Sequence, residues 1–540
     1  MKPTLTVACF SLRSTGQAVS LRSALTVLLL APLAALHAAE PPATFCNPLP
    51  IPNYPIGFFA RNVTNGEPDA RESWILGHRE QFRELADPMV LWHDAKWYLY
   101  PSGDMAWVSA DQGATWQHHP LNVREIGYPP TVVRHCDRFL LGNNSATLYA
   151  SASPLGPFEK IGDLKLKPSG EVPPLMGKML FSDDDGRLYL YFGVSATAGI
   201  WGVELDAADP TKPLTAPVRF IDFNPQERPW EAHGEWNQNS NKGWLESAWM
   251  LKRNGRYYLT YSAAGTQYRT YAMGCFVGSS PLGPFTPQKH NPILRTTDGL
   301  LAGTASGCIV SGPENQLWAF YTIRAGVVHS FERRIGMDRA EIDANGELVV
   351  HGATSLPQWL PGKTPPDAKS ADTGWLPING FVQTLSSTSA PNLPGRFAVD
   401  NEMRTWWQPA GGDTQPTLTS TFGAPATIHA VRLIWRDIGL DTKRGVKPGP
   451  FRYRVELETA KGQWTTILDR SESAEDLLID YRECKPTTGT RARLVILGSP
   501  KGITPGVAEF TVFGTNRHFN LQPCSLSPSS AARTVAAALA

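Results

Sequence analysis

Five times between residues 90 and 322 the chain repeats one pattern: an apolar run, a short polar or glycine turn, and a second run in which aromatic and aliphatic residues alternate. The copies span 90–102, 132–143, 180–193, 249–263 and 308–322, and their turns read His-Asp-Ala-Lys, His-Cys-Asp-Arg, Asp-Asp-Asp-Gly, Arg-Asn-Gly and Gly-Pro-Glu-Asn. Such alternation around a turn predicts β-hairpins, because successive strand side chains point to opposite faces. The hexapeptide Ser-Pro-Leu-Gly-Pro-Phe occurs at 153–158 and again at 280–285. Repeats of this length, each carrying several short strands, predict propeller blades. A β-sandwich with recurrent turns would explain the alternation but not the duplicated hexapeptide. The segment 109–116, Ser-Ala-Asp-Gln-Gly-Ala-Thr-Trp, has the form of an Asp-box, in which the acid and hydroxyls hold a hairpin turn, and is read as structural. The acidic run 183–185 is read as a solvated turn in preference to a cation site.

The pattern changes after residue 359. Pro, Gly and Lys dominate a linker at 361–371, and new strand-like runs follow at 427–435, 453–457, 492–497 and 509–512. The expected architecture is all-β: a five-bladed β-propeller over 40–360, then a β-sandwich over 372–516. Residues 1–39 read as an export signal, with Lys2, Arg13 and Arg22 ahead of the apolar run 24–36 and His-Ala-Ala at 37–39. That run falls short of the ~20 residues a membrane span needs, and no other segment could span. The tail 517–540 is expected to be poorly ordered. A formal net charge of +1 gives no electrostatic footprint for nucleic acid or an anionic membrane. The 17 tryptophans suit sugar binding, because aromatic faces stack on the apolar faces of sugar rings. The cysteines are scattered without CxxC spacing, which argues against a zinc site.

Two acids stand out against this frame. Asp87, in Leu-Ala-Asp-Pro-Met-Val (85–90), and Glu246, in Trp-Leu-Glu-Ser-Ala-Trp-Met (244–250), head corresponding hairpin strands. Taken singly, an Asp-Pro is a turn cap and a strand-edge Glu is solvated. Their matching blade positions favour chemistry. A repeat architecture that gathers two carboxylates around one pocket suits glycoside hydrolysis, where one acid protonates the leaving oxygen and one base activates water.

Residues 46–360 resemble glycoside hydrolase family 43, arabinofuranosidases and xylosidases on a five-bladed propeller. The carrying segments are Asn-Pro-Leu-Pro-Ile-Pro-Asn-Tyr-Pro (47–55), Ala-Asp-Pro-Met-Val (86–90), Ser-Asp-Asp-Asp-Gly-Arg-Leu-Tyr-Leu-Tyr (182–191), the Glu246 strand, Gly-Thr-Gln-Tyr-Arg-Thr-Tyr-Ala (265–272) and Phe-Glu-Arg-Arg-Ile (331–335). The resemblance implies inversion, with Asp87 as the base and Glu246 as the acid. It also implies a third, pKa-tuning aspartate, whose position here is occupied by Gly177 followed by Lys178. A lysine beside the site would hold Glu246 ionised, against its role; Glu171 is the nearby acid that could replace the tuning group. Where the family carries Gly-His in the fifth blade, this chain has Ser306. Trp107, Tyr268 and Tyr271 are the expected pocket wall, and catalysis needs no metal.

The C-terminal segment resembles discoidin-like (coagulation factor type C) jelly rolls that bind carbohydrate, through Arg-Phe-Ala-Val-Asp-Asn-Glu-Met-Arg-Thr-Trp-Trp (396–407) and Gly-Val-Ala-Glu-Phe-Thr-Val-Phe-Gly (506–514). This resemblance implies a structural calcium held by Asp400 and Glu509. The combined expectation is an exported inverting glycosidase that removes terminal pentose, foremost α-L-arabinofuranose, from a plant-type polysaccharide or oligosaccharide. A β-xylosidase, a non-catalytic carbohydrate-binding protein on the same scaffold and, more weakly, a sialidase are the alternatives.

Overall fold

The computed structural model describes residues 42–55 and 83–516, apart from 124–125, 128–129, 143, 167–171, 174, 195–197, 328, 369–371 and 381. The leader, the tail and Glu171 lie outside the described residues. Five four-stranded antiparallel sheets follow one another, each with its strands in chain order. The blades are Met89–His93, Lys96–Tyr100, Met105–Ser109 and Gln117–Pro120; Thr131–His135, Arg138–Gly142, Thr147–Ser151 and Glu159–Asp163; Met179–Ser182, Leu188–Phe192, Ile200–Leu205 and Val218–Ile221; Glu246–Arg253, Arg256–Ala263, Ala272–Gly278 and Phe285–Pro287; and Ala305–Ser311, Leu317–Arg324, Arg333–Ile342 and Leu348–Val350. Each hairpin expected from the sequence is the first strand pair of a blade. The turn between Arg253 and Arg256 shows why the sequence folds this way: Asn254 (φ 51°) and Gly255 (φ 74°) adopt the left-handed conformations that a two-residue hairpin turn demands.

The duplicated hexapeptide makes a duplicated contact. Tyr100 Oη donates to the Pro154 carbonyl (2.6 Å) across the first two blades, and Tyr191 Oη donates to the Pro281 carbonyl (2.7 Å) across the third and fourth. The Asp-box holds its turn through Asp111, which accepts from Ser109 Oγ (2.7 Å), Thr115 N (2.9 Å) and Thr115 Oγ1 (2.6 Å). In the run 183–185, Asp184 and Asp185 are exposed in a turn as expected, whereas Asp183 is buried and accepts from Lys252 Nζ (2.6 Å) and Tyr257 Oη (2.6 Å). A buried carboxylate needs such partners to offset lost hydration.

The ring is closed by Thr44–Phe45, which pairs with Gln358–Trp359 beyond the last blade. Asn47 reinforces the closure: its Nδ2 donates to the Met337 (2.9 Å) and Thr354 (3.0 Å) carbonyls, and its Oδ1 accepts from Met337 N (2.9 Å). The C-terminal segment forms one seven-stranded antiparallel sheet, consistent with the expected sandwich. Its long strands Thr417–Ile438 and Ile479–Gly498 change register at 421/426 and 428/430, bulges that let a sheet bend. Trp435 and Phe451 stack in its core with centroids 4.6 Å apart. Met403, Ile434, Ile479 and Ala508 of this region join propeller residues Leu300, Leu301 and Ile323 in one apolar cluster, so propeller and sheet form one compact unit. Among the described residues no helix is long and apolar enough to cross a membrane.

Candidate active site

The site forms where the chain enters the innermost strand of each blade. Asp87 (φ 53°), Gly177 (φ 61°), Ser247 (φ 56°) and Ser306 (φ 44°) all adopt left-handed backbone at this level of the first, third, fourth and fifth blades. Asp tolerates that region readily, whereas serine stores strain there, and such strain clusters at functional sites. Hydroxyls at the neighbouring strands hold the backbone in place. Ser306 N donates to Ser262 Oγ (2.8 Å) and Asp87 N donates to Thr322 Oγ1 (2.8 Å), while Thr322 Oγ1 donates to the Ser306 carbonyl (3.0 Å).

Asp87 is buried, and its carboxylate accepts from three donors: Ser102 Oγ on Oδ2 (2.7 Å), Ser306 Oγ on Oδ1 (2.7 Å) and Arg333 Nη1 on Oδ1 (3.0 Å). Arg333 also donates through Nε to Glu84 Oε1 (2.7 Å) and through Nη1 to Thr266 Oγ1 (3.0 Å). Ser306 Oγ lies 2.7 Å from Ser247 Oγ, the residue after Glu246, so the two acids share one end of the propeller axis.

Glu246 is half-buried, accepting from Tyr271 Oη (2.6 Å) on Oε1 and Trp244 Nε1 (2.9 Å) on Oε2. Burial pushes its pKa up, and the charge of Asp87 pushes the same way; the Tyr271 and Trp244 hydrogen bonds and the Arg333 charge oppose this. The arrangement therefore sets a carboxyl whose pKa is raised by burial beside a second carboxyl surrounded by donors, an asymmetry that suits an acid–base pair.

Tyr271 thus belongs to the site. Tyr268 is half-buried nearby, with its ring centroid 5.5 Å from that of His233. Trp107 is a correction: it is 0% exposed and donates to the Pro52 carbonyl (3.1 Å), so it is a core residue and cannot line a pocket. Gly177 does face the site. A Cβ there would lie 3.8 Å from Ser247 N, but also 2.8 Å from Val194 Cγ2. Lys178 does not act as expected from its position in the sequence. It is buried, donates to the Ser145 carbonyl, and burial pushes its own pKa down to about 7. The cation that opposes the raised pKa of Glu246 is Arg333 instead.

Sequence reasoning missed Glu84, Ser102, Trp244 and Arg333 as site residues. Arg333 was visible only as part of a family-like segment, and its 246-residue separation from Asp87 left no local signal. A cavity of about 810 Å³ lies at the far ends of the inner strands, lined by Trp92, Asp183, Trp249, Lys252 and Asn315 among others; it contains neither acid. In the C-terminal sheet Asp400 and Glu509 do come together. Glu509 Oε2 accepts from Asn401 N (3.0 Å), and burial pushes the Glu509 pKa up to about 7, with the Asp400 charge adding to the shift. Among the described residues no group of three or more His, Cys, Asp or Glu side chains could hold a metal.

The family model for glycosyl hydrolases family 43 matches residues 78–348, half of the chain. The chain belongs to glycosyl hydrolase family 43. Among its relatives, this family-43 chain is 28% identical over 301 residues to the β-D-galactofuranosidase xynD of Aspergillus niger, covering 49% of this chain and 81% of the relative. It is 27% identical over 258 residues to a β-xylosidase of Xylanibacter ruminicola, covering 38% and 78%. A crystal structure of a thermostable family-43 glycoside hydrolase aligns at 25% identity and a TM-score of 0.44, over 52% of this chain and 96% of the other.

Proposed function

We propose that this family-43 hydrolase is an exported exo-glycosidase that releases a terminal pentose, foremost α-L-arabinofuranose, from a plant-type polysaccharide or oligosaccharide with inversion. The observation that carries the reading is Ser306, which hydrogen-bonds Asp87 and reaches Ser247 beside Glu246, joining base and acid at one end of the axis. Asp87 takes a proton from water as that water attacks the anomeric carbon. Glu246 gives its proton to the departing glycosidic oxygen, and the sugar leaves with inverted configuration. Inverting pairs stand ~6.5–9.5 Å apart to admit that water. The upward shift of the Glu246 pKa by burial runs in the direction a general acid needs and supports catalysis over mere sugar binding. A β-D-galactofuranoside is the second reading, supported by the Aspergillus niger relative; its furanose ring has the same configuration as α-L-arabinofuranose and adds an exocyclic carbon.

Aryl glycosides of α-L-arabinofuranose, β-D-xylose, β-D-galactofuranose and sialic acid separate these readings. Fastest turnover on the arabinofuranoside, with the inverted anomer as first product by NMR, is expected of protein recovered outside the cytoplasm. Fastest turnover on another glycoside would move the assignment, and no turnover on any would leave carbohydrate binding.

We further propose that Asp400 and Glu509 hold a calcium ion in the C-terminal sheet, with carbonyl oxygens completing its shell. A buried Glu509 with a half-buried Asp400 beside it, both raised in pKa by burial, supports this, since a cation would relieve their repulsion. Calcium at roughly 100 times Kd should stabilise the full chain by about 2.7 kcal/mol. Equal melting midpoints in calcium and in chelator, or a calcium shift that survives Asp400→Asn with Glu509→Gln, would remove the site.

A further inference from the structure

Two segments of the propeller present alternate side chains to the site and to the C-terminal sheet. In the first, Glu84 and Asp87 face Arg333, while Arg83 is gripped from behind: its Nη2 donates to Asp437 Oδ2 (2.5 Å) and its Nη1 to Asp476 Oδ1 (2.6 Å). In the second, Arg333 faces Asp87, while Glu332 next to it accepts from Arg436 Nη1. Arg436 also donates through Nη2 to the Ala325 (3.1 Å) and Met403 (2.8 Å) carbonyls, tying both domains to one guanidinium. The segments are bonded to each other, Leu85 N donating to the Arg333 carbonyl (3.2 Å). Arg83, Glu332 and Arg436 are 1%, 4% and 8% exposed. Charge-assisted bonds in such a site are strong and directional, and breaking one leaves a buried charge without its counter-ion.

We propose that the C-terminal sheet is a positioning element of the active site, with Arg436 and Asp437, adjacent on the strand Thr417–Ile438, setting the placement of Asp87 and Arg333 from outside the propeller. The proposal rests on the glycosidase reading for its kinetic consequence and on the contacts alone for its mechanical one. Arg436 acts through Glu332, the neighbour of Arg333, and Asp437 acts through Arg83, the neighbour of Glu84. A base displaced by a fraction of an ångström loses turnover without losing ground-state binding, because misplacement of about 1 Å can cost roughly 10²-fold.

The test uses the full chain carrying Asp437→Asn or Arg436→Met. In Asp437→Asn, Arg83 keeps Asp476, so that variant is expected to fold. Hydrogen exchange should quicken in peptides covering 83–90 and 325–335, with the third blade unchanged. With the best aryl glycoside, kcat should fall about 10- to 100-fold with KM within about twofold, and Asp437→Glu should restore part of it. Exchange that quickens only within 376–515, or unchanged kcat in a folded variant, overturns the proposal. A wild-type protein that hydrolyses no glycoside overturns the glycosidase reading instead, and the exchange result then decides the grip by itself.

Discussion

Glu246→Gln is expected to lower turnover on natural oligosaccharides by roughly 10²–10⁴-fold, the usual contribution of general acid help. An alkoxide is a poor leaving group and needs the proton; a nitrophenolate does not, so the loss on nitrophenyl glycosides should be much smaller. Asp87→Asn should cost at least as much on both substrates, because water must be activated whatever leaves. The pH dependence gives the sign of the assignment. Burial raises the Glu246 pKa, so the alkaline limb of kcat/KM should follow loss of its proton. Tyr271 Oη donates to the ionised carboxylate and thereby opposes that rise, so Tyr271→Phe should move the alkaline limb to higher pH. A folded Asp87→Asn enzyme with undiminished turnover would remove Asp87 from the role of base. A limb that moves to lower pH in Tyr271→Phe would remove Glu246 from the role of acid.

Arg333→Met should carry the largest stability cost of any single change at the site. Its guanidinium serves both Glu84 (2.5 Å) and Asp87 (3.0 Å), and all three side chains are nearly inaccessible, at 2%, 2% and 6% exposure. Removing the shared cation leaves two carboxylates in a dry site, and breaking a buried pair in this way costs about 3–5 kcal/mol. Denaturant unfolding of the full chain measures the loss. Adding Glu84→Gln should return part of the stability, because one stranded charge disappears, yet it should not return activity, because Asp87 still lacks its donor. Two single mutants whose costs simply add would contradict this, since contacting charges are expected to couple.

The absent third acid takes on a different meaning once the site is assembled. Gly177 stands where that acid is expected, and the same left-handed backbone occurs at Asp87, so an aspartate at 177 is conformationally admissible. It would nevertheless press on Val194. The chain reaches a raised Glu246 pKa by burial and by the charge of Asp87. Lys178, placed by the sequence beside the acid, donates instead to the Ser145 carbonyl.

What was legible in the sequence is what short-range physics writes there. Period-two alternation and turn residues such as Asn254-Gly255 act within a few positions, so the five hairpins and the later strands could be read directly. Asp87 and Glu246 were legible because each heads a repeated local pattern. The rest depends on contacts between residues far apart in the chain. Ser306 meets Asp87 across 219 residues and Arg333 meets it across 246, and no local pattern distinguishes such a serine or arginine from any other. The place of Trp107 depends on distant contacts in the same way. An aromatic on a strand suits a core or a sugar equally well, and only packing places its ring in the interior with its indole on Pro52. Sequence alone therefore determined the blades and singled out the two acids as candidates, because strand alternation and turn chemistry are local. Tertiary structure alone decided what surrounds those acids, because burial and the pairing of charges, which set protonation, exist only once distant segments are packed together.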